Sequence, residues 1–247
     1  MTIAGTVRTF RARMTRTRIA VLASGGGTNL QAILDHLDRL GDRRCGDVVL
    51  VASDRTDAGA LARARIHGIE TATLATPRRV EGAAVGPLLE DHRVELVVLA
   101  GYLRRVPDEV VRRYADRMIN VHPALLPAFG GAGMYGMRVH EAVLASGATI
   151  TGVTAHFVDE EYDRGPIIAQ WPVPVLRGDD GATLAARVLR VEHVLYPRVV
   201  DGVAGGRLTL AGCRAGRRLA AAADAEFTML SRKDDCLAEA IDRALDC

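Results

Sequence analysis

No uninterrupted apolar run in this 247-residue chain approaches the ~18 residues that a membrane span requires. The longest, residues 19–23 and 96–100, are strand-sized, so a soluble protein without a membrane partner is expected. Cysteine is sparse. Cys45, Cys213, Cys236 and Cys247 show no C-x-x-C spacing, which argues against a zinc ribbon or a redox pair and fits a reducing cytoplasm. Net charge is also small, at +2. The first 18 residues hold five arginines and no acid, leaving 27 basic against 30 acidic residues beyond them. Such a body offers no nucleic-acid surface by charge. The arm itself lacks the apolar stretch of a secretory signal, and Met14 stands just before the first apolar run. Residues 1–17 are therefore read as a disordered basic arm or an over-called start. With 49% hydrophobic residues, 25 Gly and 9 Pro, the composition is that of a globular chain, long enough for one α/β domain with a substantial core.

What is present is an alternation. Apolar strands over residues 18–23, 48–53, 69–74 and 96–100 are separated by helical patterns near 30–40, 60–66 and 80–92. All-apolar strands alternating with amphipathic helices predict an α/β, Rossmann-like fold: an open, mostly parallel twisted sheet with helices on both faces. Beyond Gly101 a short helix (108–114) and a strand (118–121) are followed by two strands, 149–158 and 167–175, around the loop 159–166. A long helix from about Thr183 should end or kink at Pro197. No repeat or linker is visible, so a single domain over 18–212 with an extension over 213–247 is expected.

Ser24-Gly25-Gly26-Gly27-Thr28-Asn29 joins the first strand to its helix. A glycine turn at a helix N-terminus presents backbone N–H groups and a positive dipole end to an anion. The dinucleotide fingerprint needs glycine where Leu30 stands, and the lysine of a P-loop is missing, so one phosphate is the natural guest. A plain tight turn is the competing reading. Asp54 ends the second strand where a ribose-binding acid would sit; a solvated turn residue is the simpler account.

Asn120-Val121-His122 closes a buried strand, and the period of two puts amide and imidazole on one face at the ligand-binding end of the sheet. Asp163 precedes Arg164-Gly165-Pro166 in an acid-rich turn, where a carboxylate near an imidazole would orient it. His156, in an apolar strand, is either a core histidine or a partner of the site. His140-Glu141 opens like a metalloprotease motif, but Leu144 fills the second ligand position, and no metal is implied. No nucleophile elbow is present either.

The segments 21–31, Leu99-Ala100-Gly101-Tyr102-Leu103-Arg104, 119–127 and His156-Phe157-Val158 through Asp163-Arg164-Gly165-Pro166 together resemble the phosphoribosylglycinamide formyltransferase family, folate-dependent enzymes of purine synthesis. The resemblance spans about residues 18–212. It implies that Gly25, Gly26, Gly27, Thr28 and Asn29 hold the phosphate of glycinamide ribonucleotide. Leu103, Arg104, Arg105 and Val106 would line the folate pocket, opposite Asp159, Glu160, Glu161 and Tyr162. Arg78 would meet a folate carboxylate, with Arg79 the alternative, and Glu192 would lie near the glycinamide. Formyl-tetrahydrofolate is the implied co-substrate, and the chain is expected to act as a monomer or homodimer. Asn120 and a protonated His122 would donate to the formyl oxygen, while Asp163 keeps the imidazole charged and helps move the amine proton. The stretch 128–136 is richer in glycine and longer than the family's usual connection, and Leu103 stands where methionine is common.

Other readings differ in testable ways. A methionyl-tRNA formyltransferase should carry a basic C-terminal domain, whereas residues 213–247 hold six basic and seven acidic residues. A formyl-tetrahydrofolate hydrolase should carry a regulatory domain ahead of the first strand. A nicotinamide-dependent oxidoreductase or a nucleotide-binding module would suit the first half alone, leaving Asn120, His122 and Asp163 unexplained.

Overall fold

The computed structural model describes residues 15–74, 85–214 and 234–245. The apolar run after Arg16 forms β1 (Thr17–Leu22), whose residues alternate between two cores. Ile19 and Val21 face one layer of helices, Ala20 and Leu22 the other. α1 (Thr28–Leu40) places Leu30, Ile33, Leu34 and Leu37 on one face, the spacing that buries a helical stripe. β2 (Gly46–Ser53), α2 (Gly59–Ile66), β3 (Glu70–Thr73), α3 (Val85–Asp91) and β4 (Leu96–Leu99) continue the alternation. α4 (Asp108–Arg113) leads to β5 (Met118–His122), and α5 (Met137–Ser146) to the hairpin β6 (Ile150–Phe157) and β7 (Ile167–Pro174). The long α6 (Gly181–Ala204), α7 (Leu210–Arg214) and α8 (Asp234–Leu245) follow.

Seven strands form one sheet in the order β3-β2-β1-β4-β5-β6-β7. The first five are mutually parallel, and β6 and β7 are added antiparallel. Chain order reverses between β1 and β4, so the loops after these strands diverge and leave a crevice at their carboxyl ends. The turns after β1, β4 and β5 all open there.

α6 begins on a capping box: Asp180 Oδ1 accepts from the Thr183 N–H at 2.8 Å, and Thr183 Oγ1 accepts from the Asp180 N–H at 2.9 Å. It does not stop at Pro197 but runs on to Ala204. An interior proline costs a helix about 3 kcal/mol. Burial of Val199 and Val200 beyond it, at about 1.5–3 kcal/mol each, offsets that cost. The buried Tyr196 hydroxyl lies 2.8 Å from the Leu99 carbonyl and 3.1 Å from that of Ile119, tying α6 to the ends of β4 and β5. α8 packs on α6 through Ile241 and Ala240, with Arg198 and Asp242 paired across the contact. Among the described residues no helix is long and apolar enough to cross a membrane.

Candidate active site

A cleft of about 530 Å³ opens at the carboxyl end of the sheet. Asn120 and His122, two residues apart on β5, both line it. His156 stands directly across from Asn120 in the β5–β6 ladder. Its Nδ1 faces the Phe157 carbonyl at 2.8 Å and donates there, so in the neutral ring Nε2 is an acceptor. Asn120 Nδ2 donates to that Nε2 at 3.2 Å, which fixes the amide and leaves its second N–H for the cleft. His156 is therefore a partner of the site rather than an isolated core histidine.

Asp163 comes from the loop after β6, in a left-handed conformation (φ 56°) that suits Asp better than most side chains. Its Oδ2 lies 3.6 Å from His122 Nδ1, and its Oδ1 lies 3.7 Å from His156 Nε2. The Gly131 N–H donates to Oδ2 at 2.9 Å. Burial would raise the carboxyl, but His156, His122 and the Gly131 N–H outweigh it and hold Asp163 below its ordinary range, hence ionised. A Cβ on Gly130 would come 2.4 Å from Leu126 Cδ2 and 3.2 Å from Asp163 Cβ, so the glycine run lets this loop close on the carboxylate.

His122 differs from the sequence expectation. Burial pushes the imidazole down, and Asp163 and the Phe129 carbonyl pull it only partly back, so the ring rests neutral at pH 7. Both ring nitrogens nevertheless face acceptors, with Nε2 lying 2.8 Å from Phe129 O. Protonation would give each a bonded hydrogen with a partner, so the ring is placed to accept a proton.

The remaining expected residues divide by place. Leu103, Arg104, Arg105 and Val106 form one wall of the cleft, and Asp159, Glu160, Glu161 and Tyr162 form another. Arg105 joins the walls, donating to Asp108 Oδ1 at 2.7 Å and to the Glu160 carbonyl at 3.2 Å, with the Tyr162 ring 5.9 Å away. Asn29 and Glu192 also line the cleft, and Asn29 Nδ2 donates to Glu192 Oε2 at 2.6 Å. Burial pushes Glu192 up to about 7, with Asn29 opposing the rise. Gly25, Gly26 and Thr28 are exposed and Gly27 is buried, so of residues 25–29 only Asn29 lines the cleft itself. Arg78 and Arg79 lie outside the described residues. Asp54 is no solvated turn residue: its side chain is 13% exposed and accepts from Arg104 Nε at 3.3 Å. Sequence reasoning did not single out Ser24 Oγ, which accepts from the Leu103 N–H at 2.9 Å, and weighed His140 only as a metal ligand, whereas it lines the cleft beside His122. The glycine run 130–136 was the one available signal for the Gly131 contact. No group of three or more His, Cys, Asp or Glu among the described residues is placed to hold a metal ion.

The formyl transferase family matches residues 17–200. The chain belongs to that family. A chloroplastic phosphoribosylglycinamide formyltransferase of Arabidopsis thaliana is 43% identical over 198 residues, 78% of this chain and 67% of the relative. The crystal structure of glycinamide ribonucleotide transformylase 1 from Symbiobacterium toebii superposes with a TM-score of 0.71 at 43% identity, covering 78% of this chain and 89% of that one. A formyltetrahydrofolate deformylase from Pseudomonas syringae pv. tomato shares the formyl transferase fold at a TM-score of 0.70 and 26% identity, covering 78% of this chain and 63% of that one. The chain spans about two thirds of the length of its plant relatives, at 67% and 65%.

Proposed function

We propose that this formyl transferase moves the formyl group of formyl-tetrahydrofolate to the amine of glycinamide ribonucleotide, giving formylglycinamide ribonucleotide and tetrahydrofolate for purine synthesis. The observation that carries the reading is the convergence of Asn120, His122 and Asp163 on one cleft of about 530 Å³, which Asn29 and Glu192 also line. Names borne by relatives at 43% identity support the acceptor.

The amine lone pair attacks the formyl carbon, forming one C–N bond as negative charge gathers on the formyl oxygen. That charge exists mainly in the transition state, so donors aimed at it lower the barrier more than they tighten binding. The free N–H of Asn120 is one such donor. His122 supplies the second after exchanging the Phe129 carbonyl for the substrate oxygen. The neutral imidazole and ionised Asp163 together accept the amine proton, directly or through water, and return it to the folate nitrogen as the second C–N bond breaks. Holding both substrates together contributes much of the acceleration.

Leu103 to Val106 and Asp159 to Tyr162 would clasp the folate, with Arg78 or Arg79 at its carboxylate. Gly25 to Asn29 would take the phosphate, and Glu192 would meet the glycinamide end. Mixing the protein with both substrates and following tetrahydrofolate by absorbance tests the proposal. Release should require the ribonucleotide; equal release without it would make the chain a hydrolase, the reading kept open by the Pseudomonas structure.

A further inference from the structure

Two carbonyls of the glycine loop point into α2. The Ala60 N–H donates to Gly25 O at 3.1 Å, and Arg63 Nε donates to Gly26 O at 2.8 Å. In a planar trans peptide the carbonyl and the following N–H point in opposite directions. These bonds therefore turn the N–H groups of Gly26 and Gly27 away from α2. The loop is pressed onto the helix: a Cβ on Gly27 would lie 2.6 Å from Ala60 Cα, and one on Gly59 would lie 3.0 Å from Gly26 O. Ahead of the loop, the first turn of α1 carries no acidic residue, and no side chain caps it. Arg63 is fixed in turn, since its Nη1 donates to Gln31 Oε1 at 3.2 Å while Gln31 Nε2 donates to Asp35 Oδ1 at 2.8 Å.

We infer that Arg63 is the positioning residue of the phosphate subsite: its Nε locks the Gly26–Gly27 peptide so that the Gly27 N–H meets an incoming phosphate monoester. The inference rests on the proposed function, since it presumes a phosphorylated acceptor. Its guanidinium also brings positive charge beside the loop, which favours the same guest. The clamp requires the planar fork of arginine at this place, because a lysine ammonium retains the charge without a donor fixed at the Nε position.

The test uses the full chain with Arg63→Met and Arg63→Lys, glycinamide ribonucleotide, and the same acceptor lacking its phosphate. Arg63→Met should raise KM for the ribonucleotide about tenfold, equivalent to about 1.4 kcal/mol, with kcat at saturation held. Arg63→Lys should lose most of the same affinity, and the phosphate-free acceptor should not separate either variant from the parent. Restoration of the parent KM by lysine would overturn the inference, because charge alone would then suffice. So would equal losses with both acceptors, the mark of a merely structural role. Titration with inorganic phosphate, followed by phosphorus NMR, separates this inference from the functional reading. A parent protein that binds phosphate yet forms no product would strike the functional reading only, and the clamp then stands if Arg63→Met weakens phosphate binding and falls if it does not.

Discussion

In the proposed site Asn120, His122 and Asp163 each depend on a neighbour outside the proposed chemistry. His156 accepts one N–H of the Asn120 amide, the Gly131 N–H holds Asp163, and Phe129 O occupies His122 Nε2. Replacing Asn120 or His122 by alanine should lower kcat about 10²–10³-fold, the usual loss for one oxyanion donor, with KM nearly constant in steady-state assays. Asp163→Asn makes a second prediction with a definite sign. The carboxylate raises His122 against the effect of burial, so its loss should move the His122 titration to lower pH, observable by NMR. A midpoint that stays or rises would remove Asp163 from the electrostatics of the site. Asn120-x-His122 and Asp163 were legible because strand period and turn chemistry are local properties. The neutral state of His122 was not, since it depends on burial by loops distant in sequence. Nor was the tie between Asp54 and Arg104, which joins residues 50 apart in sequence.

At the scale of elements, the apolar runs of β1, β2, β4 and β5 and the stripe of α1 were readable because each encodes its own burial. Pro197 does not end α6, because that local rule is outweighed by the burial of Val199 and Val200 beyond it. The loop 159–166 carries a sharper constraint. A Cβ on Gly165 would sit 1.8 Å from Phe157 O, so the turn cannot stay where it is with any side chain there. Gly165→Ala should therefore destabilise the protein by about 2–4 kcal/mol and, by displacing Asp163 two residues before it, reduce kcat as well. Gly25 provides the contrast, since an added Cβ meets nothing within 4 Å. Gly25→Ala should leave stability within about 0.5 kcal/mol. Thermal melts of the two variants check both statements, and equal melting points would contradict the assigned contact.

For the whole molecule, pH reports on what burial has done to its ionisable groups. His36 is pushed down from 6.5 to about 4, first by burial and then by Arg198, and burial also lowers His122, His140 and His193. As pH falls through 6.5 toward 4 the unfolded chain takes up protons that the native state refuses, so stability is lost across that window. Glu192 works in the opposite sense: its carboxyl rises from 4.5 to about 7, so its contribution is lost as pH rises through that interval. With four lowered histidines against the raised Glu192 and His92, the melting temperature should fall on acidification from pH 7, and His36→Leu should flatten the fall. The cleft joins these scales, because the folding that buries His122 and Glu192 also brings donor and acceptor to one carbon. Carbon-13 NMR of a reaction supplied with formyl-labelled cofactor and glycinamide ribonucleotide tests that most directly. The account predicts one labelled formylglycinamide for each tetrahydrofolate released and no free formate; label recovered as formate, with the ribonucleotide unmodified, would contradict it.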